Sequence, residues 1–201
     1  MKAYVISATP SPIYVVSVAA GNCYGKHDYS EKRVKNCVKA GHTSVLEHVS
    51  VTFRIEGVSR ACMAQITRHR MASFCIESQR YCKYDEDFFK GEWYVMPSSF
   101  EDKADSMVEF EHAVTTCAEE YTRAVDAGVK PEDARYLLPE ATKTNIVMTM
   151  NMREIFHFFD MRRDKAAQWE IRQLAEAMAK AMKVEDWQLC FFADLWEECR
   201  K

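Results

Sequence analysis

The clearest hydrophobic pattern in the chain is an alternation that is typical of a half-buried β-strand. Val49, Val51, Phe53 and Ile55 are separated by single polar residues, a period of two that places all four side chains on one face. We expect Gly57 to end this strand. Three further segments are rich in β-branched or aromatic residues and predict strands: residues 4–6, 14–16 and 145–150, the last one buried.

Two long segments have apolar residues three or four positions apart, which predicts amphipathic helices. The first predicted helix ends before Gly128, which takes the C′ position, and the second predicted helix begins after Asp164. Their apolar stripes are Met107, Phe110, Val114, Cys117, Tyr121 and Ala124, and Ala167, Ile171, Leu174, Met178 and Met182.

Residues that favour helix starts divide the rest of the chain. Residues 44–47 and 151–154 both fit a capping box, the first opening a short helical turn and the second a helix to about Met161. Ser59 can cap a helix that runs into Arg68, and Ser98 offers another cap. Pro131 starts a short helix that carries Arg135 and stops before Pro139, whereas residues 71–97 are expected to be rich in loops.

These elements predict an α+β fold: a mixed sheet of few strands packed with several helices, including two long amphipathic ones. The strands and helices do not alternate as in a βαβ protein, and no repeat or low-complexity tract divides the sequence. We therefore expect one domain over residues 1–201.

Composition narrows the class of protein. The 201 residues include 27 Lys and Arg against 30 Asp and Glu, a net charge of −3, and 48% are hydrophobic. This excludes a disordered or collagen-like chain, and it disfavours a dedicated nucleic-acid binder, which would carry a large positive excess. No apolar run is long enough to cross a membrane, and the short run after Pro12 does not make a signal peptide. The eight cysteines form no C-x-x-C pair, which favours reduced thiols in a cytoplasmic protein.

The sharpest local chemistry is Arg68-His69-Arg70, which is preceded by Gln65. Ser73, Ser78 and Arg80 follow. Guanidinium groups suit bidentate binding of phosphate or carboxylate, so this segment is a candidate anion site; a solvated basic turn is the alternative. Arg135, among apolar neighbours, and Arg162, between two apolar helices, are further candidates, with a buried ion pair and a polar connection as their alternatives.

The common cofactor-binding motifs are missing from the sequence. It has no G-x-G-x-x-G and no Walker motif, so any dinucleotide is held in another way. The spacing of His42 and His48 suits no metal, and His157 lies among phenylalanines as a core histidine would. We expect no metal site.

The arginine segment resembles the signature of the flavin-dependent thymidylate synthases, in which R-H-R is separated from a serine by seven residues. Residues 41–48, 134–139 and 162–172 resemble three further family segments in the same order. The wider pattern R-H-R-x-x-S-x-N-x-x-S-x-R is matched at Arg68, His69, Arg70, Ser73, Ser78 and Arg80 and departs at Cys75, where the family usually has Asn.

The resemblance implies FAD-dependent methylation of dUMP at C5 to dTMP, with methylenetetrahydrofolate as carbon donor and NADPH as reductant. It also implies a homotetramer whose active sites are shared between subunits, with no nucleic-acid or membrane partner. Carried over by position, the nucleotide site would contain Gln65, Arg68, Ile76, Glu77, Ser78, Gln79, Arg80, Arg135 and Arg162. The flavin site would contain Ser44, Arg68, His69, Arg70, Ile76, Asn151, Arg153 and His157, with His42 nearby.

Within this set the resemblance makes Arg162 the catalytic residue, because a guanidinium beside uracil can stabilise negative charge that develops at N3 and O2. No cysteine or serine nucleophile is then required, and Ser78 would act as a hydrogen-bond donor. Two departures from the family pattern are Cys75, which replaces Asn, and Ile76, which stands where an acidic residue is common. They leave open the alternative of a related C5 methylase or hydroxymethylase acting on UMP or dUMP. A non-enzymatic polyanion-binding module is the alternative of another class.

Overall fold

The computed structural model describes residues 1–82 and 84–200, and this part of the chain forms two compact units. The first unit comprises residues 1–56, 65–75 and 146–201, and the second comprises residues 57–64 and 76–145. The expectation of one flavin-dependent thymidylate synthase-like domain over the whole chain stays a prediction.

The fold is of the α+β class, as the sequence predicts, with few strands and two long amphipathic helices. The strands form one four-stranded sheet in the order β1-β2-β4-β3, with β1 and β2 antiparallel. They are β1 Lys2–Ala8, β2 Ser50–Ser59, β3 Ala72–Ile76 and β4 Lys143–Asn151. The helices are α1 Pro12–Asn22, α2 Glu31–Lys39, α3 Arg60–Ile66, α4 Glu86–Lys90, α5 Ser98–Glu101, α6 Ala104–Asp126, α7 Pro131–Ala134, α8 Met152–Arg162, α9 Trp169–Glu185 and α10 Trp187–Glu198.

The strand predicted at residues 14–16 is wrong, because this segment lies inside α1. Pro12 occupies the first turn of the helix, where its missing N–H costs no hydrogen bond. Ile13, Val16 and Ala20 are then buried along one side. The β-branched valines are accommodated because tertiary burial outweighs their weak preference against helix.

The alternating strand is confirmed, but Gly57 does not end it. The side chains of Val51, Phe53 and Ile55 are fully buried, and β2 continues through Gly57 to Ser59. Gly57 has φ 72°, a conformation that glycine adopts without strain, and its N–H donates to the side-chain oxygen of Asn145. The strand therefore passes through the glycine in a locally distorted form.

Ser59 caps α3 as predicted, since its hydroxyl accepts the N–H of Cys62 at 3.0 Å. The helix ends at Ile66 and does not reach Arg68. The first capping box is also displaced: Ser44 lies within a 3-10 helix, Thr43–His48, whose N-cap position is held by His42 without a side-chain bond.

The segment expected to be loop-rich contains β3 and α4. Asp85 caps α4 by accepting the N–H of Phe88, a signal that the sequence carries in its side-chain chemistry. Lys83, in the same segment, lies outside the described residues. Ser98 begins the separate short helix α5, so the long helix α6 starts only at Ala104.

In the first unit, α9 packs against β1 and also against its two neighbouring helices, α8 and α10. In α9, which begins at Trp169 and so excludes Ala167, the predicted stripe of Ile171, Leu174, Met178 and Met182 is fully buried. The last helix, α10, was not predicted from the sequence. Its Trp196 donates to Asp160 of α8 at 2.6 Å, which joins the two helices.

The eight cysteines are all free thiols. None of the described helices combines the length and the apolar character that a bilayer span requires.

Two neighbouring residues of β4 provide a test of which face of this strand is buried. Met148 is fully buried, whereas Val147 faces outward and is 38% exposed. We expect Met148→Ala to lower the free energy of unfolding by about 2–5 kcal/mol through lost burial and a residual cavity. Val147→Ala, the matched control, should lower it by less than about 1 kcal/mol. Urea denaturation measures both, and equal losses would contradict the assigned faces of the strand.

Candidate active site

The segment Arg68-His69-Arg70 forms a tight turn directly after α3. The backbone N–H of Arg68 donates to the carbonyl of Gln65 at 3.4 Å, and the N–H of His69 donates to that of Ile66 at 3.1 Å. The turn alternates the direction of the side chains, so Arg68 and Arg70 are exposed while His69 is only 4% exposed. Two cations therefore lie in water on either side of a buried imidazole.

Both ring nitrogens of His69 are hydrogen-bonded. Its Nδ1 lies 2.8 Å from a carboxylate oxygen of Glu154, and its Nε2 lies 3.0 Å from Nε of Arg162. The same guanidinium donates through Nη2 to the carbonyl of Gln65 at 3.2 Å. Because an arginine N–H can only donate, Nε2 must accept, and the proton of a neutral ring must lie on Nδ1, where it donates to Glu154.

The surroundings of His69 keep the ring neutral. Burial lowers the pKa of His69 most strongly, and the positive charge of Arg162 lowers it further, as does His157 to a smaller extent. The hydrogen bond that His69 donates to Glu154 acts in the opposite direction and raises it. The net result is a pKa below the usual histidine value, so the ring accepts from Arg162 at neutral pH.

Helix α8 brings Glu154 and Arg162 to one site because they are eight residues, about two turns, apart. Asn151 caps the helix as predicted, accepting the N–H of Glu154 at 2.8 Å. The side chain of Glu154 bonds to His69 and is 8% exposed. The capping-box pattern in the sequence predicted only a local role for Glu154 at the start of the helix. Its position on the same helix face as Arg162 was the sequence signal for its contact with His69.

His69, Glu154 and His157 also lie close enough together to suggest a metal site. The bonding of His69 argues against this use, since neither of its ring nitrogens offers a lone pair to an ion. In addition, the cation of Arg162 lies against the same ring. The trio is better suited to holding a proton at a defined atom.

The other predicted flavin residues of the first unit are exposed or partly exposed. Arg153 pairs with Glu47 at the surface, and His157 is exposed with its ring centroid 5.8 Å from that of His69. Ser44 is exposed in the 3-10 helix, and His42 lines a cavity of about 560 Å³ elsewhere in this unit.

The predicted nucleotide residues 76–80 and Arg135 belong to the second unit. Glu77 is held firmly there: its carboxylate accepts from Asn145 at 2.7 Å, and its carbonyl accepts from Arg60 at 2.8 Å. The hydroxyl of Tyr84 also approaches this carboxylate at 3.4 Å, and burial raises the pKa of Tyr84, so that hydroxyl remains a donor.

Arg80 and Arg135 share one neighbour that the sequence analysis did not identify. Arg80 pairs with the carboxylate of Glu132 at 3.2 Å, while Nε of Arg135 donates to the carbonyl of Glu132 at 2.9 Å. Ser78 accepts the backbone N–H of Arg80 at 3.2 Å. Glu132 therefore contacts both of these arginines, which were predicted for the nucleotide site, within this unit.

A polar cavity adjoins this group. It has a volume of about 430 Å³, and Arg60, Gln79 and Arg135 lie in its wall. The Nε atom of Arg60 is buried and has no hydrogen-bond partner among the residues described, which marks an unsatisfied donor beside the cavity. A larger cavity of about 540 Å³ near Trp93 contains none of the predicted site residues.

Comparison with solved structures gives the same fold. Thymidylate synthase X from Helicobacter pylori, solved with FAD and dUMP, superposes with a TM-score of 0.80 at 24% identity. The match covers 100% of this chain and 99% of that one. At this identity the likeness concerns the fold alone.

Sequence comparison identifies the family. Residues 4–186 match the family model described as thymidylate synthase complementing protein. The flavin-dependent thymidylate synthase of Geobacter sulfurreducens is 42% identical over 194 residues, covering 91% of this chain and 82% of that protein. The enzyme of Pyrococcus horikoshii is 39% identical over 189 residues, covering 89% and 77%. With its arginine motif folded around a buried histidine, the chain belongs to the family of flavin-dependent thymidylate synthases.

Proposed function

We propose that this chain methylates dUMP at C5 to dTMP in an FAD-dependent reaction, with methylenetetrahydrofolate as carbon donor and NADPH as reductant. The family membership supports the reaction. The observation that carries the assignment to residues is the fixed guanidinium of Arg162, bonded to His69 and to the carbonyl of Gln65. Its orientation is set before any substrate is bound.

The residues of the first unit fit the chemistry of FAD, whose diphosphate needs cations and hydrogen-bond donors. Arg68 and Arg70 are exposed, and neither forms an ion pair with any carboxylate of residues 1–82 or 84–200. The exposed ion pair between Arg153 and Glu47 contributes little stability and can exchange for a phosphate. Ser44, Asn151, His157 and His69 complete the part of the proposed flavin set that lies in this unit. Ile76 is kept in the set on the family resemblance alone.

When bound, FAD supplies the hydride chemistry that an amino-acid side chain cannot perform. The contribution of the chain is to bind, orient and polarise. Arg162 stabilises negative charge at N3 and O2 of the uracil ring, which makes C5 a better nucleophile. Its bonds to His69 and to the carbonyl of Gln65 hold the guanidinium in one plane, so less orientational freedom is lost during the reaction.

The nucleotide phosphate is assigned to Arg80 and Arg135, assisted by Arg68. Arg80 is exposed and paired with Glu132, a surface pair that a dianionic phosphate can replace. The polar cavity beside Gln79 and Arg135, with its unsatisfied Arg60 donor, supports binding of a polar ligand. Glu77 and Ser78 are proposed to hydrogen-bond the nucleotide beside Ile76.

Two further expectations belong to this proposal. The enzyme assembles as a homotetramer with active sites shared between subunits, which gel filtration with light scattering can measure. It acts in the cytoplasm, in agreement with its eight free cysteines.

An anaerobic assay with dUMP, methylenetetrahydrofolate and NADPH tests the function. We expect a yellow protein whose flavin band bleaches with NADPH, and a product with the mass of dTMP. A hydroxymethylated product, or turnover of UMP instead of dUMP, would assign the chain to the related C5 chemistry. A colourless protein whose binding to polyanions weakens steeply with salt would contradict both enzyme assignments, the thymidylate synthase and the related C5 enzyme.

Arg162→Ala tests the catalytic assignment. We expect a fall in kcat of at least about 100-fold, because the charge developing on uracil loses its fixed donor. The flavin absorbance of the purified protein should be largely retained. Arg123→Ala, which removes an exposed arginine paired with Glu120 on α6, is the control and should leave kcat unchanged. Normal turnover of the Arg162 variant would refute the assignment.

Arg135→Ala tests the phosphate assignment. We expect a loss of about 1.5–3 kcal/mol in the binding of dUMP, as for a charge-assisted hydrogen bond. Binding of deoxyuridine, which has no phosphate, should change little. Calorimetry measures both ligands, and an equal loss for the two would show that Arg135 does not bind the phosphate.

A further inference from the structure

We propose that Glu154 is a positioning residue for the methylation: by fixing the proton of His69 on Nδ1, it keeps Nε2 free to hold the guanidinium of Arg162 in its working orientation. The inference rests on the proposed function, because Arg162 is the group assigned to the uracil ring. Glu154 itself touches the imidazole and acts only through it.

The first step of the argument is the direction of the hydrogen bonds. The Nε–H of Arg162 can only donate, so the bond of 3.0 Å to His69 exists only while Nε2 carries no proton. In the other neutral tautomer two N–H groups would face each other at this distance. The guanidinium would then have to move, and its bond to the carbonyl of Gln65 would be disturbed as well.

The second step is the burial of the pair. His69 is 4% exposed and Glu154 is 8% exposed, so bulk water provides little alternative bonding for either group. A buried carboxylate without a donor is unfavourable, and the Nδ1–H of His69 supplies one at 2.8 Å. The carboxylate can only accept, which makes the Nδ1–H tautomer the only neutral form that satisfies both partners.

The third step concerns the groups that surround His69. Among residues 1–82 and 84–200, the side chains whose charge or hydrogen bonding acts most strongly on His69 are Glu154, His157 and Arg162 of α8, and the centroid of the apolar ring of Phe158 lies 4.8 Å from that of His69. A second proton on the ring would occupy Nε2 and place an imidazolium against the guanidinium. Acid should therefore inactivate the enzyme when His69 becomes protonated.

The proposal gives Glu154→Gln a defined signature. The glutamine has nearly the same shape, but it can donate as well as accept, so it no longer selects one tautomer. We expect kcat for dTMP formation to fall about 10- to 100-fold, by analogy with carboxylates that orient metal-binding histidines through their second ring nitrogen. KM for dUMP should change little, because the phosphate contacts remain.

The pH dependence of kcat distinguishes a positioning role of Glu154 from a general loosening of the fold. Glu154 raises the pKa of His69, so its removal lowers that pKa further. The acid limb of kcat should consequently move to lower pH in the variant although the plateau is reduced. An unchanged limb, or a shift to higher pH, would overturn the proposal.

Glu176→Gln is the matched control. Glu176 pairs with Arg163, the residue next to Arg162, through bonds of 2.6 and 2.9 Å. The same substitution therefore removes a carboxylate from the arginine at the C-cap of the same helix, without touching His69. We expect kcat and its acid limb to remain those of the parent enzyme, and a loss equal to that of Glu154→Gln would contradict a specific role.

Nitrogen-15 NMR of the full-length, histidine-labelled protein tests the inference without turnover. We expect His69 at pH 7.5 to be the Nδ1–H tautomer in the parent protein and a mixture of both tautomers in Glu154→Gln; its signal is assigned by its loss in His69→Asn. An Nε2–H ring in the parent overturns the inference even if the variant does not fold. If the parent shows the Nδ1–H ring but forms no dTMP, the proposed function fails while the hydrogen-bond geometry stands.

Discussion

The constraint on which the site depends is the burial of one imidazole between an acceptor and a donor. His69 can satisfy Glu154 and Arg162 together only as a neutral ring with its proton on Nδ1. The turn after α3 provides the inward direction of this ring, and α8 provides both partners from one face. A motif of three consecutive residues thus divides into two kinds of function: outer arginines available to anions and an inner histidine that organises a third arginine.

The other arginines of the proposed site are held differently. Arg80 and Arg153 pair with Glu132 and Glu47 at the surface, where water screens the attraction and such pairs contribute little to stability. Pairs of this kind can be exchanged for ligand phosphates at small cost. Arg162, in contrast, is bonded to the ring of the buried His69 and to the carbonyl of Gln65, which suits a group proposed to keep one orientation while charge develops on the substrate.

The sequence predicted those strands and helices whose hydrophobic periodicity follows directly from the burial of one face. The alternation before Gly57 and the stripe from Ile171 to Met182 were confirmed because each periodicity corresponds to one buried face. The strand predicted around Val15 was wrong because packing of a helix face outweighed β propensity, and Gly57 was wrong as an end because glycine tolerates a distorted strand. The helix α10 was missed because its aromatic residues show no narrow stripe.

For the site, the resemblance to the family pointed to His69 through the R-H-R motif and to Arg162 through a separate C-terminal segment, but it could not reveal the hydrogen bond between them. Glu154 and Glu132 were not predicted as site residues, since their importance comes from contacts 85 and 52 positions away in sequence. Carboxylates are frequent and their local patterns are ambiguous. Only the folded chain shows that Glu154 is bonded to the histidine and that Glu132 contacts two arginines.

A crystal structure of the protein with FAD and dUMP is the most direct measurement of this account. It predicts the guanidinium of Arg162 within hydrogen-bonding distance of N3 or O2 of the uracil ring, still bonded to Nε2 of His69, with the pyrimidine lying against the flavin. A pyrimidine bound away from Arg162, or an Arg162 that leaves His69 to reach it, would contradict the central claim.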